Sequence, residues 1–128
     1  MTGTLIFDGT CGFCTRSRNF LVKLDRKRRI RTVPYQRSGT AAAAGVSHER
    51  LTTEVCFVDA GGTATWGAEA INTALATALG NRLPTRVYRL PGMRGLQDRV
   101  YRWVAANRHR LPGTTPWCGD HPADCAGH

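Results

Sequence analysis

The stretch Phe7-Asp8-Gly9-Thr10-Cys11-Gly12-Phe13-Cys14 decides how this 128-residue chain is read. It joins a short apolar run, Thr4 to Phe7, to a segment whose apolar positions Phe20, Leu21 and Leu24 recur at helical spacing. A C-x-x-C at such a strand-to-helix junction places both sulfurs on one face of the first helical turn. Their Cα atoms then stand near the roughly 5.5 Å that a disulfide favours. The pair can open and close with little backbone movement.

The junction also supplies reactivity. Unpaired N–H groups and the positive end of the helix dipole stabilise a thiolate more than a thiol, so Cys11 is expected to be the attacking sulfur. Placements of this kind lower a cysteine pKa from about 8.5 to between about 3.5 and 7.5. Gly12 and Phe13 between the cysteines carry no charge, while Arg16 and Arg18 add positive field. A structural metal knuckle or an inert pair is the competing reading of the same motif.

Working outward, Arg31 to Tyr35 reads as a second strand, with Pro34 pointing to an edge. Gln36 to Arg50 reads as a short helix and a loop. Glu54 to Val58 and Thr63 to Trp66 form a hairpin about Asp59-Ala60-Gly61-Gly62. Ala68 to Leu79 is a helix with Ile71, Leu75 and Leu79 on one stripe, stopped by Gly80. Leu83 to Gly92 reads as a connection. Met93 to His109 is a further helix carrying Leu96, Val100, Trp103 and Val104 on one face. The division expected is one domain over 1–110 and an irregular tail over 111–128.

Lys and Arg total 18 against 9 Asp and Glu, a formal charge of +9, which biases the chain toward anionic surfaces. The Arg-rich surface of Arg82, Arg86, Arg89, Arg94, Arg99, Arg102, Arg108 and Arg110 reads first as a solvated face. With no nucleic-acid-reading motif beside it, nucleic acid is an unlikely partner. Five cysteines and no segment resembling a signal peptide make the cytoplasm the expected compartment. No apolar run is long enough for a transmembrane segment. Flavin and nicotinamide fingerprints are absent, so no cofactor is expected beyond the redox-active cysteine pair.

The order β-α-β-α-β-β-α, with C-x-x-C after the first strand, resembles an α/β thioredoxin-like fold with an added C-terminal helix and an irregular tail. Asp8-x-x-Cys11-x-x-Cys14 is similar to the signature of the DCC family, thiol-disulfide oxidoreductases named for that motif. Phe57-Val58-Asp59 to Gly62, Gly67-x-x-Ala70, and Tyr101-Arg102-Trp103 to Asn107-Arg108 with a later cysteine also resemble the family pattern. The resemblance implies thiol-disulfide exchange, with Cys11 as nucleophile and Cys14 as resolving thiol. The partner would be a disulfide-containing protein or small thiol, served by an unidentified electron donor. A metal-binding or nucleic-acid-associated module with the cysteines as ligands is the alternative.

Thioredoxins carry a cis-proline before the third strand. Here the corresponding approach, Leu51-Thr52-Thr53-Glu54-Val55, has none, so Thr53 or Glu54 is expected to face the cysteines. Gly12, Phe13, Thr53 and Glu54 are therefore the candidate substrate contacts. Phe13 and Trp66 are equally readable as core aromatics, and Cys56 as a buried small hydrophobe. Asp8 has two readings: a semi-buried carboxylate with raised pKa that exchanges protons with Cys14, or the first residue of a turn.

In the tail, Cys118-x-x-His121-x-x-x-Cys125-x-x-His128 has the spacing of one tetrahedral zinc or copper site. Alternatively, Cys118 and Cys125 form a regulatory disulfide or relay electrons to Cys11.

Overall fold

A computed structural model describes residues 2–125. Four strands, β1 (Gly3–Phe7), β2 (Ile30–Pro34), β3 (Cys56–Asp59) and β4 (Ala64–Trp66), form one sheet in the order β2-β1-β3-β4. β1 and β2 run parallel, so the chain must cross over between them, and helix α1 (Gly12–Leu24) makes that crossing. β3 is antiparallel to both β1 and β4, which closes the expected hairpin. Pro34 ends edge strand β2, where its missing N–H costs no ladder bond. This mixed α/β sheet is consistent with the thioredoxin-like fold expected from the sequence.

Side chains alternate across the sheet, and the two faces build separate cores. Leu5 and Phe57 point to the side of α1 and α4 (Gly67–Leu79), meeting Leu21, Ala70, Ala74 and Ala78. Ile6 and Cys56 point the other way, toward Leu51, Tyr35, Ala41, Ala44 and Val46. That second face is covered by two short helices, α2 (Thr40–Ala44) and α3 (His48–Leu51), where the sequence suggested one helix and a loop.

The buried face of α4 differs from the expected stripe. Ala68, Ala70, Ala74, Ala76 and Ala78 are buried, whereas Ile71 and Leu79 are 41% and 53% exposed. Small side chains let this helix lie close to the sheet and to α1, and close approach selects alanine over bulk. Phe20 of α1 is likewise 61% exposed although Leu21 beside it is buried.

The connection after Gly80 contains a helix, α5 (Leu83–Tyr88), that composition concealed. Pro84 sits in its first turn, where a missing N–H is tolerated. Helix α6 (Met93–Asn107) follows with no fully buried residue, and Leu96, Val100 and Trp103 of its apolar face stay exposed. The tail is ordered in two short pieces, α7 (Trp117–Asp120) and a 3₁₀ turn over Pro122–Cys125. It folds back onto the body of the protein.

Asp25 ties α1 to the sheet: its carboxylate accepts the Arg29 and Ile30 N–H groups at 2.9 and 2.8 Å. At the start of β1, Gly3 lies against the Phe57 ring, which is buried and has no room to retreat. Gly3→Ala is expected to overpack this contact and lower unfolding stability by about 1–3 kcal/mol in urea denaturation. An unchanged midpoint would show that β1 or the ring can shift.

Candidate active site

Asp8 begins the turn that leaves β1. Its Oδ1 accepts the Thr10 N–H at 2.9 Å and the Thr10 hydroxyl at 2.7 Å, a local turn of the kind aspartate favours. The same oxygen accepts Gln36 Nε2 at 2.8 Å, and Gln36 Oε1 in return accepts the Gly9 N–H at 3.0 Å. Oδ2 faces the Arg108 guanidinium at 3.1 Å. With little of either side chain exposed, this is a largely buried ion pair whose carboxylate is well supplied with donors. The Cys11 N–H closes the turn onto the Asp8 carbonyl at 3.3 Å.

Cys11 is the N-cap of α1, and its Sγ accepts the Cys14 N–H at 3.2 Å. A sulfur in that position answers one of the donors that a helix start leaves open. Cys14 lies one turn on and is half-buried. Burial, the contact with Cys11 and the nearby Asp8 charge push the Cys14 thiol well up, and the Arg108 charge offsets only part of that. Both cysteines are free thiols in this structure. The two sulfurs therefore have unlike surroundings: the Cys14 thiol is held toward its protonated form, and Cys11 is the one that caps the helix.

Two surfaces flank the pair. On one side an open cleft of about 720 Å³ lies between α1, α4 and α6. Its walls include Phe13, Phe20, Ile71, Leu96 and Val100, and Cys14, Asp8 and Arg108 also line it. Phe20, Ile71, Leu96 and Val100, all exposed rather than in the core, line this cleft. On the other side the tail crosses the C-x-x-C loop. The Thr114 N–H donates to the Gly12 carbonyl at 3.2 Å, Trp117 N–H to Thr15 Oγ1 at 3.0 Å, and Cys118 N–H to the Gly9 carbonyl at 2.9 Å. Cys11 has no exposed surface.

Glycine makes this approach possible. A Cβ on Gly9 would stand 2.7 Å from Cys118 Sγ, and one on Gly12 would stand 2.5 Å from the Thr114 carbonyl oxygen. Gly113 in turn lies against the Gly12–Phe13 peptide. The Trp117 ring packs edge-on against Phe7 at 6.1 Å, under the Arg18 guanidinium at 4.5 Å and over His121 at 3.8 Å.

Among the expected substrate contacts, Gly12 meets the tail, and Phe13 and Glu54 line the cleft with Cys14. Thr53 does not join them: it is exposed, and its hydroxyl donates to the Arg50 carbonyl at 3.0 Å. The approach to β3 is held instead by α6. The Val55 N–H donates to Tyr101 Oη at 2.9 Å, and Arg108 donates to the Thr52 carbonyl at 3.1 Å. No peptide bond among the described residues is cis.

Trp66 is half-buried beneath Arg50, 4.2 Å from the guanidinium to the ring centre. Cys56 is buried in β3, and burial pushes its thiol up to about 11. Neither belongs to the site.

The tail alternatives divide clearly. Cys118 and Cys125 are joined as a disulfide, so in this state neither sulfur offers a thiolate to a metal. His121 stacks on Trp117, and His128 lies outside the described residues. No group of three or more candidate metal-ligating side chains occurs among the described residues.

Gln36 and Trp117 carry no sequence signal, and Tyr101 and Arg108, which stand in a segment resembling the family pattern, have no expected role in the site. Arg108 was counted among the solvated arginines, although Tyr101 and Arg108, seven apart, fall on one helix face. That spacing could have separated it from Arg99 and Arg102.

The family model for DCC1-like thiol-disulfide oxidoreductases matches residues 5–114. The chain belongs to that family. No curated protein and no solved structure matches it. The match ends before Cys118, so the tail disulfide lies beyond the matched region. No helix among the described residues is long and apolar enough to cross a membrane.

A second ion pair, Arg37 with Asp124, fastens the tail to the segment after β2, and Asp124 also accepts Trp117 Nε1–H at 2.9 Å. These donors hold the Asp124 carboxyl down at about 2. A depressed carboxyl stabilises the fold above its unfolded value and loses that contribution as pH falls through the folded one. Tail docking is therefore expected to weaken between about pH 4 and pH 2. Trp117 fluorescence in the wild type against Asp124→Asn would report it, the variant lacking the acid step. An identical step in both would assign it elsewhere.

Proposed function

We propose that this protein exchanges thiols and disulfides through Cys11 and Cys14. The Cys11 thiolate attacks one sulfur of a substrate disulfide, forming a mixed disulfide and releasing the other substrate sulfur as a thiolate. Cys14, once deprotonated, attacks Cys11 Sγ, and the second substrate sulfur leaves. Two electrons pass to the substrate, and the Cys11–Cys14 disulfide is the oxidised product. The reverse sequence oxidises a dithiol. The single observation behind the assignment of roles is the Cys14 N–H donating to Cys11 Sγ at the N-cap of α1.

Phe13 and Glu54 are the substrate contacts we favour, because they share the cleft with Cys14. The cysteines themselves are the redox centre, with electrons supplied by a partner or small thiol. Equilibrating the protein in graded glutathione buffers and mapping disulfides by mass is expected to give a reversible two-electron closure of Cys11–Cys14. Cys11→Ser abolishes it. If no glutathione ratio closes this pair, the exchange reading fails.

We read Asp8 as a positioning residue with Arg108, since taking up a proton would weaken a buried pair already matched to its donors. Asp8→Asn is then expected to lower stability by about 2–3 kcal/mol, with an exchange-rate loss that is uniform in pH. A general-base role would give a different profile: the loss would be large near neutral pH and vanish where Cys14 ionises unaided.

A further inference from the structure

The tail places a second sulfur pair beside the first. Cys118 is seated by its own N–H on the Gly9 carbonyl, and its Sγ occupies the space that a side chain at Gly9 would fill. Gly9 lies two residues before Cys11, inside the turn closed by the Cys11 N–H on the Asp8 carbonyl. Thr114 pairs with Gly12 through the backbone, and Gly113 rests on the following peptide. A segment hydrogen-bonded across a C-x-x-C loop thus seats a disulfide beside the pair.

We infer that Cys118–Cys125 is a second redox site and the immediate exchange partner of Cys11–Cys14, linking the buried dithiol to outside disulfides or thiols. The inference rests on the exchange reading given above. Cys11 has no exposed surface, whereas Cys118 and Cys125 are only half-buried and so nearer to outside disulfides and thiols.

The step is balanced within the chain. Cys11 thiolate attacks Cys118 Sγ, the Cys118–Cys125 bond breaks, a Cys11–Cys118 bond forms, and Cys125 leaves as a thiolate. Cys14 gives up its proton and attacks Cys11 Sγ, forming Cys11–Cys14 and releasing Cys118 as a thiolate. The first pair is oxidised by two electrons and the second reduced by two. The proton lost from Cys14 and one from solvent neutralise the two tail thiolates. The reduced tail pair can then reduce an external disulfide, which closes it again; in the reverse direction an external dithiol opens Cys118–Cys125, and the tail dithiol then reduces Cys11–Cys14.

Cys118 is the sulfur attacked because it is the one anchored to the loop, whereas Cys125 lies seven residues on in the 3₁₀ turn. The two half-reactions therefore use different sulfurs at each end. Gly9 and Gly12 on either side of Cys11 meet the tail, and Cys14, which lines the cleft, closes the exchange from the other side.

The full-length double variants Cys14→Ser/Cys125→Ser and Cys14→Ser/Cys118→Ser, treated with one equivalent of diamide, test the assignment. Each keeps Cys11 and one tail cysteine. Intramolecular Cys11–Cys118 linkage in the first should exceed Cys11–Cys125 linkage in the second by about tenfold, read by peptide mass. Equal linkage overturns the seating of Cys118.

A second readout uses no trapped pair: one equivalent of dithiothreitol is added and thiols are quenched with N-ethylmaleimide over time. Opening of Cys118–Cys125 is expected to be about tenfold slower in Cys11→Ser than in the wild type. Equal rates overturn the relay. If Cys11–Cys14 still closes in glutathione when both tests fail, the relay alone is wrong; if it never closes, the exchange reading falls with it.

Discussion

A buried carboxylate at the end of β1 organises the site. Asp8 reaches its own turn through Thr10, the segment after β2 through Gln36, and the end of α6 through Arg108. Two parts of the chain, far apart in sequence, are thereby fixed to the loop that carries Cys11. A charge so placed is costly unless every donor is present, so the contacts are interdependent. The start of α1, and with it the Cys11 thiol, is positioned by electrostatics as much as by apolar packing.

The same economy explains why α6 belongs to the site despite burying no residue completely. Its apolar face stays open on the cleft, so it contributes little to a conventional core. Its fixed points are polar: Tyr101 on Val55, Arg108 on Asp8 and Thr52, and Gln97 on Asn72 of α4 at 2.6 Å. The helix can therefore leave bulky side chains exposed to the cleft while its orientation remains defined. The approach to β3, which holds no proline, is secured by the same helix through Val55 and Thr52.

The order of elements along the chain, the C-x-x-C junction, the hairpin and the limits of α4 and α6 were legible because each has a local cause: strand periodicity, a Gly stop, an edge proline. What was not legible depends on partners distant in sequence. Ile71, Phe20 and Leu79 follow a helical period that looks like core, yet alanines take the buried face because α4 lies close to the sheet. Arg108 resembled seven other arginines until Asp8 was seen opposite it. Glu54 and Thr53 are adjacent and equally polar, and only the turn after Arg50 decides which of them meets the cleft. Trp117 carried no motif at all, although Phe7, Arg18, His121 and Asp124 converge on it.

The tail also changes how the pattern of glycines is understood. Gly9 and Gly12 flank Cys11, and a turn alone would explain either one. Here both are places where another backbone or sulfur comes too close for a Cβ, and Gly113 is the matching surface on the tail. Small residues on both sides of a contact give close approach without large apolar burial, so the tail can be held firmly enough to cover Cys11 while depending on a few hydrogen bonds and the Arg37–Asp124 pair. Such a cover is separable from the fold: the two cores lie on the faces of the sheet, and neither includes a residue beyond Ala78. Releasing the tail would uncover the C-x-x-C loop around Cys11 without opening either core.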